Sequence, residues 1–171
     1  MAKPQASEYP AYFGTYINQV AEDDLNEAFR NQFKQLETFL HSVDESKANH
    51  AYGEGKWTLK ELLQHVIDGE RIFTYRALAF ARKEITSLPS FDENLYAENS
   101  NANSRSWKSL SNELINVRRS TEDLYNSFTD EMLQLKGTAN SNTISVLSLG
   151  YTIIGHVTHH IKIARERYMV A

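Results

Sequence analysis

The stretch Thr143-Ile-Ser-Val-Leu-Ser-Leu-Gly-Tyr-Thr-Ile-Ile-Gly-His156-Val-Thr-His-His160-Ile-Lys-Ile-Ala-Arg-Glu-Arg-Tyr168 decides how the rest of the chain must be arranged. It contains no proline, and Val146, Leu149, Ile153, His156, His160 and Ile163 follow one another at steps of three and four, the period of one helix face. Apolar residues also occupy its other sides, so a helix over residues 143–168 is expected to be the most buried of a set that surrounds it. The remaining helices can be sought as its walls.

Working back along the chain, Leu25, Phe29, Phe33, Leu36, Leu40 and Val43 repeat at helical spacing and predict a first helix over residues 17–43. A connector over 44–56, carrying Gly53 and Gly55, separates it from a second helix that begins near Trp57 and Thr58 and runs to about residue 82. Thr58 with Glu61 three residues on has the form of a capping box. Trp107, Leu110, Leu114, Val117, Thr121, Leu124 and Phe128 alternate by three and four and predict a third helix over 104–128. The link over 83–103, with Pro89, Asn94, Asn99, Asn101 and Asn103, is far longer than the ~2 to 8 residues that antiparallel neighbours need. Such a link can return the chain to the other end of a bundle and leave helices two and three parallel, although a functional loop would also be long.

The 171 residues, 41% of them hydrophobic, suit one all-α domain over 1–171, with residues 1–16 as an N-terminal arm. The three prolines, at positions 4, 10 and 89, fall outside every long periodic segment, which favours uninterrupted helices. With 18 Lys and Arg against 22 Asp and Glu, there is no basic field to hold a phosphate backbone, so no nucleic-acid partner is expected. No run approaches the ~18 to 20 apolar residues of a membrane span, and residues 1–10 have no apolar signal-like core. The expectation is a cytoplasmic protein without a membrane partner. Cysteine is absent, so any metal site must be built from nitrogen and oxygen ligands.

His156 and His160 lie one helical turn apart and project from one face, as two ligands of one ion would. A bare pair at this spacing suits an ordinary polar face equally well. Its setting inside an apolar stripe changes the balance, because an unsatisfied buried polar group costs roughly 1 to 3 kcal/mol. His65 occupies a second inward stripe with Leu62, Gly69 and Ile72, and is the natural third ligand; taken alone, it would read as a core histidine bonded to a carbonyl. His159 flanks the same face as a partly solvated or supporting group. His41 and His50 read as surface residues. Asp68 and Glu61, three residues after and four before His65, could orient an imidazole or serve as a base, or simply lie on a solvated, salt-bridged face with Arg71 or Lys60. The aromatic arm residues Tyr9, Tyr12, Phe13 and Tyr16 suit packing on the bundle or on a partner subunit.

Three stretches together resemble one family. Tyr52-Gly-Glu-Gly-Lys-Trp57-Thr-Leu-Lys-Glu61-Leu-Leu-Gln-His65-Val-Ile-Asp68-Gly-Glu70-Arg71 followed by Tyr75-Arg76-Ala-Leu, then Leu88-Pro89-Ser-Phe-Asp-Glu-Asn-Leu-Tyr96, and finally Gly155-His156-Val-Thr-His159-His160 through Tyr168 are similar to DinB-like proteins. The resemblance covers residues 8–168. It implies an up-down-down-up four-helix bundle with a long crossover between helices two and three, a homodimer, and a three-histidine site for zinc or nickel at His65, His156 and His160. It also implies a small-molecule substrate and a metal-dependent hydrolase or a low-molecular-weight-thiol S-transferase, with the thiol as cosubstrate. Asp68 is then the expected supporting group or base, with Tyr96 and Asn99 of the crossover lining the pocket. Three neutral ligands leave positions on an ion open to water or a thiol. The alternative from another class is a non-catalytic, dimeric, stress-associated bundle that binds a metal or a small ligand.

Overall fold

The structure, a computed structural model describing residues 2–168, is built on four long helices: α1 (Leu25–Ser42), α2 (Leu59–Ala81), α3 (Trp107–Asn126) and α4 (Val146–Arg167). Each begins on a side-chain cap. Asp24 accepts from the amide of Glu27, Ser106 from that of Ser109, and Ser145 from that of Ser148. Thr58 and Glu61 form the expected capping box. Such caps satisfy amides that the first turn leaves orphaned and contribute about 1 kcal/mol each.

Side-chain pairs fix the directions of the helices. Between α2 and α3 the partners rise together, Arg71 with Glu113 and Thr74 with Thr121, so these helices are parallel. Between α2 and α4 they run oppositely: Trp57, just before α2, meets Tyr168, whereas Gly69 abuts His156. Phe39 with Trp107 and Phe29 with Tyr125 set α1 antiparallel to α3. The order is therefore up-down-down-up, with the link over 83–103 returning the chain along the bundle. Every residue from 146 to 157 is buried, which makes α4 the element the others enclose. Among the described residues, no helix is long and apolar enough to cross a membrane.

Three helices depart most from the sequence expectation. The first helix starts at Leu25 and not at residue 17, because Asp24 caps it; Ile17 instead ends a separate short helix, Gly14–Ile17. The third spans Trp107–Asn126, two or three residues shorter at each end than the apolar spacing suggests. The fourth begins at Val146, because Thr143–Ser145 belong to a hairpin of β1 (Lys136–Ala139) and β2 (Asn142–Ser145). Asn140 and Ser141 at its tip have φ of 49° and 59°, the left-handed pair that a tight two-residue hairpin turn requires. Gly137 of β1 lies flat against Phe80, where a Cβ would overlap the ring. The crossover is tied to this hairpin: the Leu88 amide donates to the Thr138 carbonyl at 2.9 Å, and the Asn140 amide donates to the Leu88 carbonyl at 3.0 Å.

The core is divided. One apolar cluster holds Phe29, Phe73, Phe80, Tyr125 and Ile153, and another holds Leu36, Leu62, Val66, Leu114 and Val157. Between them each helix contributes a polar residue: Gln32, Glu70, Arg118 and His156, all buried. The Arg118 guanidinium donates to both Glu70 carboxylate oxygens, at 2.8 and 2.9 Å, and to the Gln32 side-chain oxygen.

Candidate metal centre

His65 comes from the second turn of α2, while His156 and His160 come from successive turns of α4. Because α2 and α4 are antiparallel neighbours, the three rings meet. Nε2 of His65 and Nε2 of His160 each lie 3.1 Å from Nε2 of His156. One ligand atom from each residue falls within 4.8 Å of the others.

The ring positions are set by packing. His156 stands edge-on to Tyr16 and Phe73, with ring centroids 5.2 and 5.7 Å apart, and Trp57 tilts against His65 at 4.9 Å. Gly69 faces His156 so closely that a Cβ would sit 3.0 Å from its Cε1. Gly155 admits the Tyr16 backbone carbonyl against α4, where a Cβ would overlap it, and this brings the arm onto the histidines. Burial pushes the His65 imidazole down to about 4. Burial first, and then the neighbouring imidazoles, holds His156 and His160 well below the usual histidine range. All three are therefore neutral at pH 7, with lone pairs free to bind an ion.

These residues fit a divalent metal. His156 Nε2 offers one in-plane hydrogen or lone pair but meets two other ring nitrogens, so hydrogen bonding alone satisfies the trio poorly. Nitrogens bound to one ion at ~2.0 to 2.1 Å, at tetrahedral or octahedral angles, stand roughly 2.9 to 3.4 Å apart, which brackets the 3.1 Å of the two pairs that include His156. His160 Nδ1 is buried without a hydrogen-bond partner. An all-imidazole donor set suits zinc, nickel and similar first-row ions.

The trio opens on a cavity of about 530 Å³. The arm contributes Tyr12, Phe13 and Tyr16 to its wall, α2 contributes Phe73 and Arg76, the crossover contributes Phe91 and Glu93, and the hairpin contributes Asn140 and Ile144. The Tyr12 and Tyr16 hydroxyls are 2.9 Å apart, and burial holds the Tyr16 phenol well above its ordinary range, so it stays protonated. Phe13 and Tyr16 thus pack on the chain's own bundle, against Phe73 and His156, while Tyr12 stays exposed.

Asp68 does not enter this cavity. A residue three positions after His65 is turned about 60° to one side of it and a residue four positions after about 40° to the other, and it is Gly69 that faces His156. The Asp68 carboxylate accepts from Gln64 Nε2 at 2.9 Å, lies 3.9 Å from Arg71, and is pushed up by burial. With Tyr96 and Asn99 it lines a second cavity that shares no lining residue with the first. Glu61 is occupied by the cap, accepting from the Thr58 amide at 2.7 Å and from Asn103 at 3.0 Å. His159 flanks the trio half-buried, with Gln19 Nε2 3.2 Å from its Nδ1, and burial lowers it. The carboxylate on the histidine cavity is Glu93, whose charge draws His65 upward against its burial. Arg76 had a sequence signal in its spacing: it lies eleven residues, about three turns, after His65 and hence on the same face. Glu93 had none, because a loop residue's approach depends on where the crossover is pinned.

A four-helix bundle with a parallel central pair, a long crossover and three facing histidines defines a class of candidate metalloproteins. The chain belongs to the DinB superfamily, whose family model matches residues 14–164. It is 27% identical over 158 residues to an Oceanobacillus iheyensis protein named "Putative metal-dependent hydrolase", covering 84% of this chain and 87% of that one. In three dimensions it resembles YfiT from Bacillus subtilis, described as a probable metal-dependent hydrolase with an unusual four-helix bundle topology. The TM-score is 0.69 at 19% identity, over 95% of this chain and 91% of that one. A mycothiol-dependent maleylpyruvate isomerase also gives a TM-score of 0.69, at 13% identity, over 85% of this chain and 61% of that one. At these identities the two structural likenesses show the fold.

Proposed function

We propose that this chain is a metal-dependent enzyme, a hydrolase or a low-molecular-weight-thiol S-transferase, with a divalent ion, zinc or nickel, held by His65, His156 and His160. The observation that carries the proposal is the convergence of three neutral imidazoles on the wall of a cavity large enough for a substrate. A structural zinc site closes itself with four protein ligands, whereas three ligands beside a cavity leave room for a reactant. That difference favours catalysis over the non-catalytic alternative. The ion would supply Lewis acidity to an incoming water or thiol.

The chain's own groups do the rest. Tyr16, Phe73 and Trp57 hold the imidazole planes, and the apolar wall of Phe13, Phe73, Phe91 and Ile144 excludes bulk water. The Glu93 carboxylate lines the cavity and its charge acts on His65 and Tyr16, which makes it the candidate to take a proton from the nucleophile. The test is a panel of esters, amides and alkylating electrophiles, assayed with and without a small thiol on zinc- and nickel-loaded protein. Turnover that needs the ion and disappears in His65→Ala is expected. Full metal uptake with no turnover across the panel would contradict the enzymatic reading.

A further inference from the structure

We propose that Arg76 anchors an anionic group of the substrate, making the histidine cavity selective for small organic acids, carboxylates or phosphonates with an apolar body. The inference takes from the preceding section only that this cavity is the substrate site, and it does not require the metal.

Arg76 is 6% exposed and lines the same cavity as His65 and His156. Among the described residues it makes one hydrogen bond, from Nη2 to the Pro89 carbonyl at 2.8 Å, and no carboxylate lies within ion-pairing distance. The fold pairs its other deeply buried cations. Arg118 meets Glu70 twice, and Lys60 meets Glu45 at 2.7 Å. Burial alone acts on Arg76 and lowers its proton affinity, with no neighbouring charge offsetting it. A guanidinium in this setting gives up much of its hydration, and one carbonyl returns only part of it. One bond to a carbonyl anchors the guanidinium but uses one of its five N–H donors, leaving a fork suited to two oxygens of an oxyacid.

Position and wall chemistry narrow the ligand. Arg76 lies seven residues, about 10 Å of helix rise, beyond the Gly69 that abuts His156, and its side chain leans back toward the helix N-terminus. An anion on Arg76 and a reacting group at the histidines therefore belong to one small molecule. Phe13, Phe73, Phe91 and Leu149 line the same cavity and suit an apolar body. Glu93, the carboxylate on the same wall, makes no ion pair with Arg76 among the described residues, so the arginine end is left for an anion.

The test is calorimetric titration of full-length protein at pH 7.5 with phenylphosphonate, phenylacetate and the neutral benzyl alcohol, first after chelator treatment and then with zinc. Chelator-treated wild type should bind at least one of the two anions ten-fold or more tighter than benzyl alcohol, and which one distinguishes a phosphonate from a carboxylate site. Arg76→Met should lose that preference while its zinc stoichiometry stays that of wild type, and Arg76→Lys should keep part of it. If Arg76→Met does not fold, the Arg76 Nε–H resonance of wild type is followed instead, and it should shift with the anion and not with benzyl alcohol. Equal binding of all three compounds, a preference that survives in Arg76→Met, or an unmoved Arg76 resonance would overturn the proposal. Loss of zinc uptake with the anion preference intact would count against the metal reading and leave this one standing.

Discussion

Glu70 and Gly69 are consecutive on α2, yet they face two buried polar clusters of opposite character. Glu70 turns toward α3 and closes a charge pair with Arg118, two hydrogen bonds whose partners are 1% and 0% exposed. Gly69 turns toward α4 and makes room for His156, where three imidazole nitrogens face one another and His160 Nδ1 has no partner. The first cluster neutralises its own charges, leaving Gln32 Nε2 without a partner, and is sealed between two apolar halves of the core. The second is electrically neutral but unsatisfied, and it opens on a cavity. An ion pair that neutralises its charge inside the core holds the fold, whereas neutral imidazoles that converge beside a cavity are set up for something from outside.

Breaking each cluster should therefore have different consequences. The largest effect on stability is expected from Glu70→Leu, which strands the Arg118 guanidinium in the core and should cost about 3–5 kcal/mol in urea unfolding. If the variant still folds, its zinc affinity should stay within a few-fold of wild type. His160→Ala should do the reverse. Its metal-free stability should fall by only about 1–2 kcal/mol, while the stabilisation of ~2.7 kcal/mol that wild type gains at a hundred-fold excess of metal over Kd should vanish.

A third contrast lies in pH. Histidines kept neutral by burial fold with fewer protons than the unfolded chain binds below the usual histidine value of about 6.5. Metal-free stability should therefore be complete above that pH and be lost as pH falls toward the folded value of about 4 at His65. Urea midpoints at pH 7.5, 6 and 5 check this, and the slope should flatten in His65→Ala. The smallest expected effect is that of Gly69→Ala. Its Cβ would stand 3.0 Å from His156 Cε1, so the ring must give by a few tenths of an ångström. Metal affinity should weaken several-fold, with a change in stability of no more than ~1 kcal/mol.

The contrast between the clusters also explains what the sequence disclosed. The four helices were legible because each buries one face for four turns or more, so the apolar period repeats often enough to stand out. The histidines were legible for the same reason, as polar residues interrupting apolar stripes at His65, His156 and His160. The Arg118–Glu70 pair was not, since two charges 48 positions apart each look like ordinary surface residues until the helices pack. The hairpin was hidden because its strands are four residues long and Ile144 blends into the apolar pattern of α4. Asp68 was the near miss: spacing put it on the histidine side of α2, but a few tens of degrees around the helix decide which of two cavities a carboxylate enters. Glu93 and the arm depend on tertiary contacts, the pinning of the crossover to the hairpin and the seat that Gly155 gives Tyr16, which no local pattern encodes.

The most direct test of the whole account is elemental analysis of untagged protein after loading with zinc or nickel and removal of free ion. One ion per chain in the wild type, and none in His65→Ala or His156→Ala variants that remain folded by circular dichroism, is the expected result. A wild-type chain that retains no divalent ion, or variants that retain it as well as the wild type does, would contradict the assignment of the three histidines.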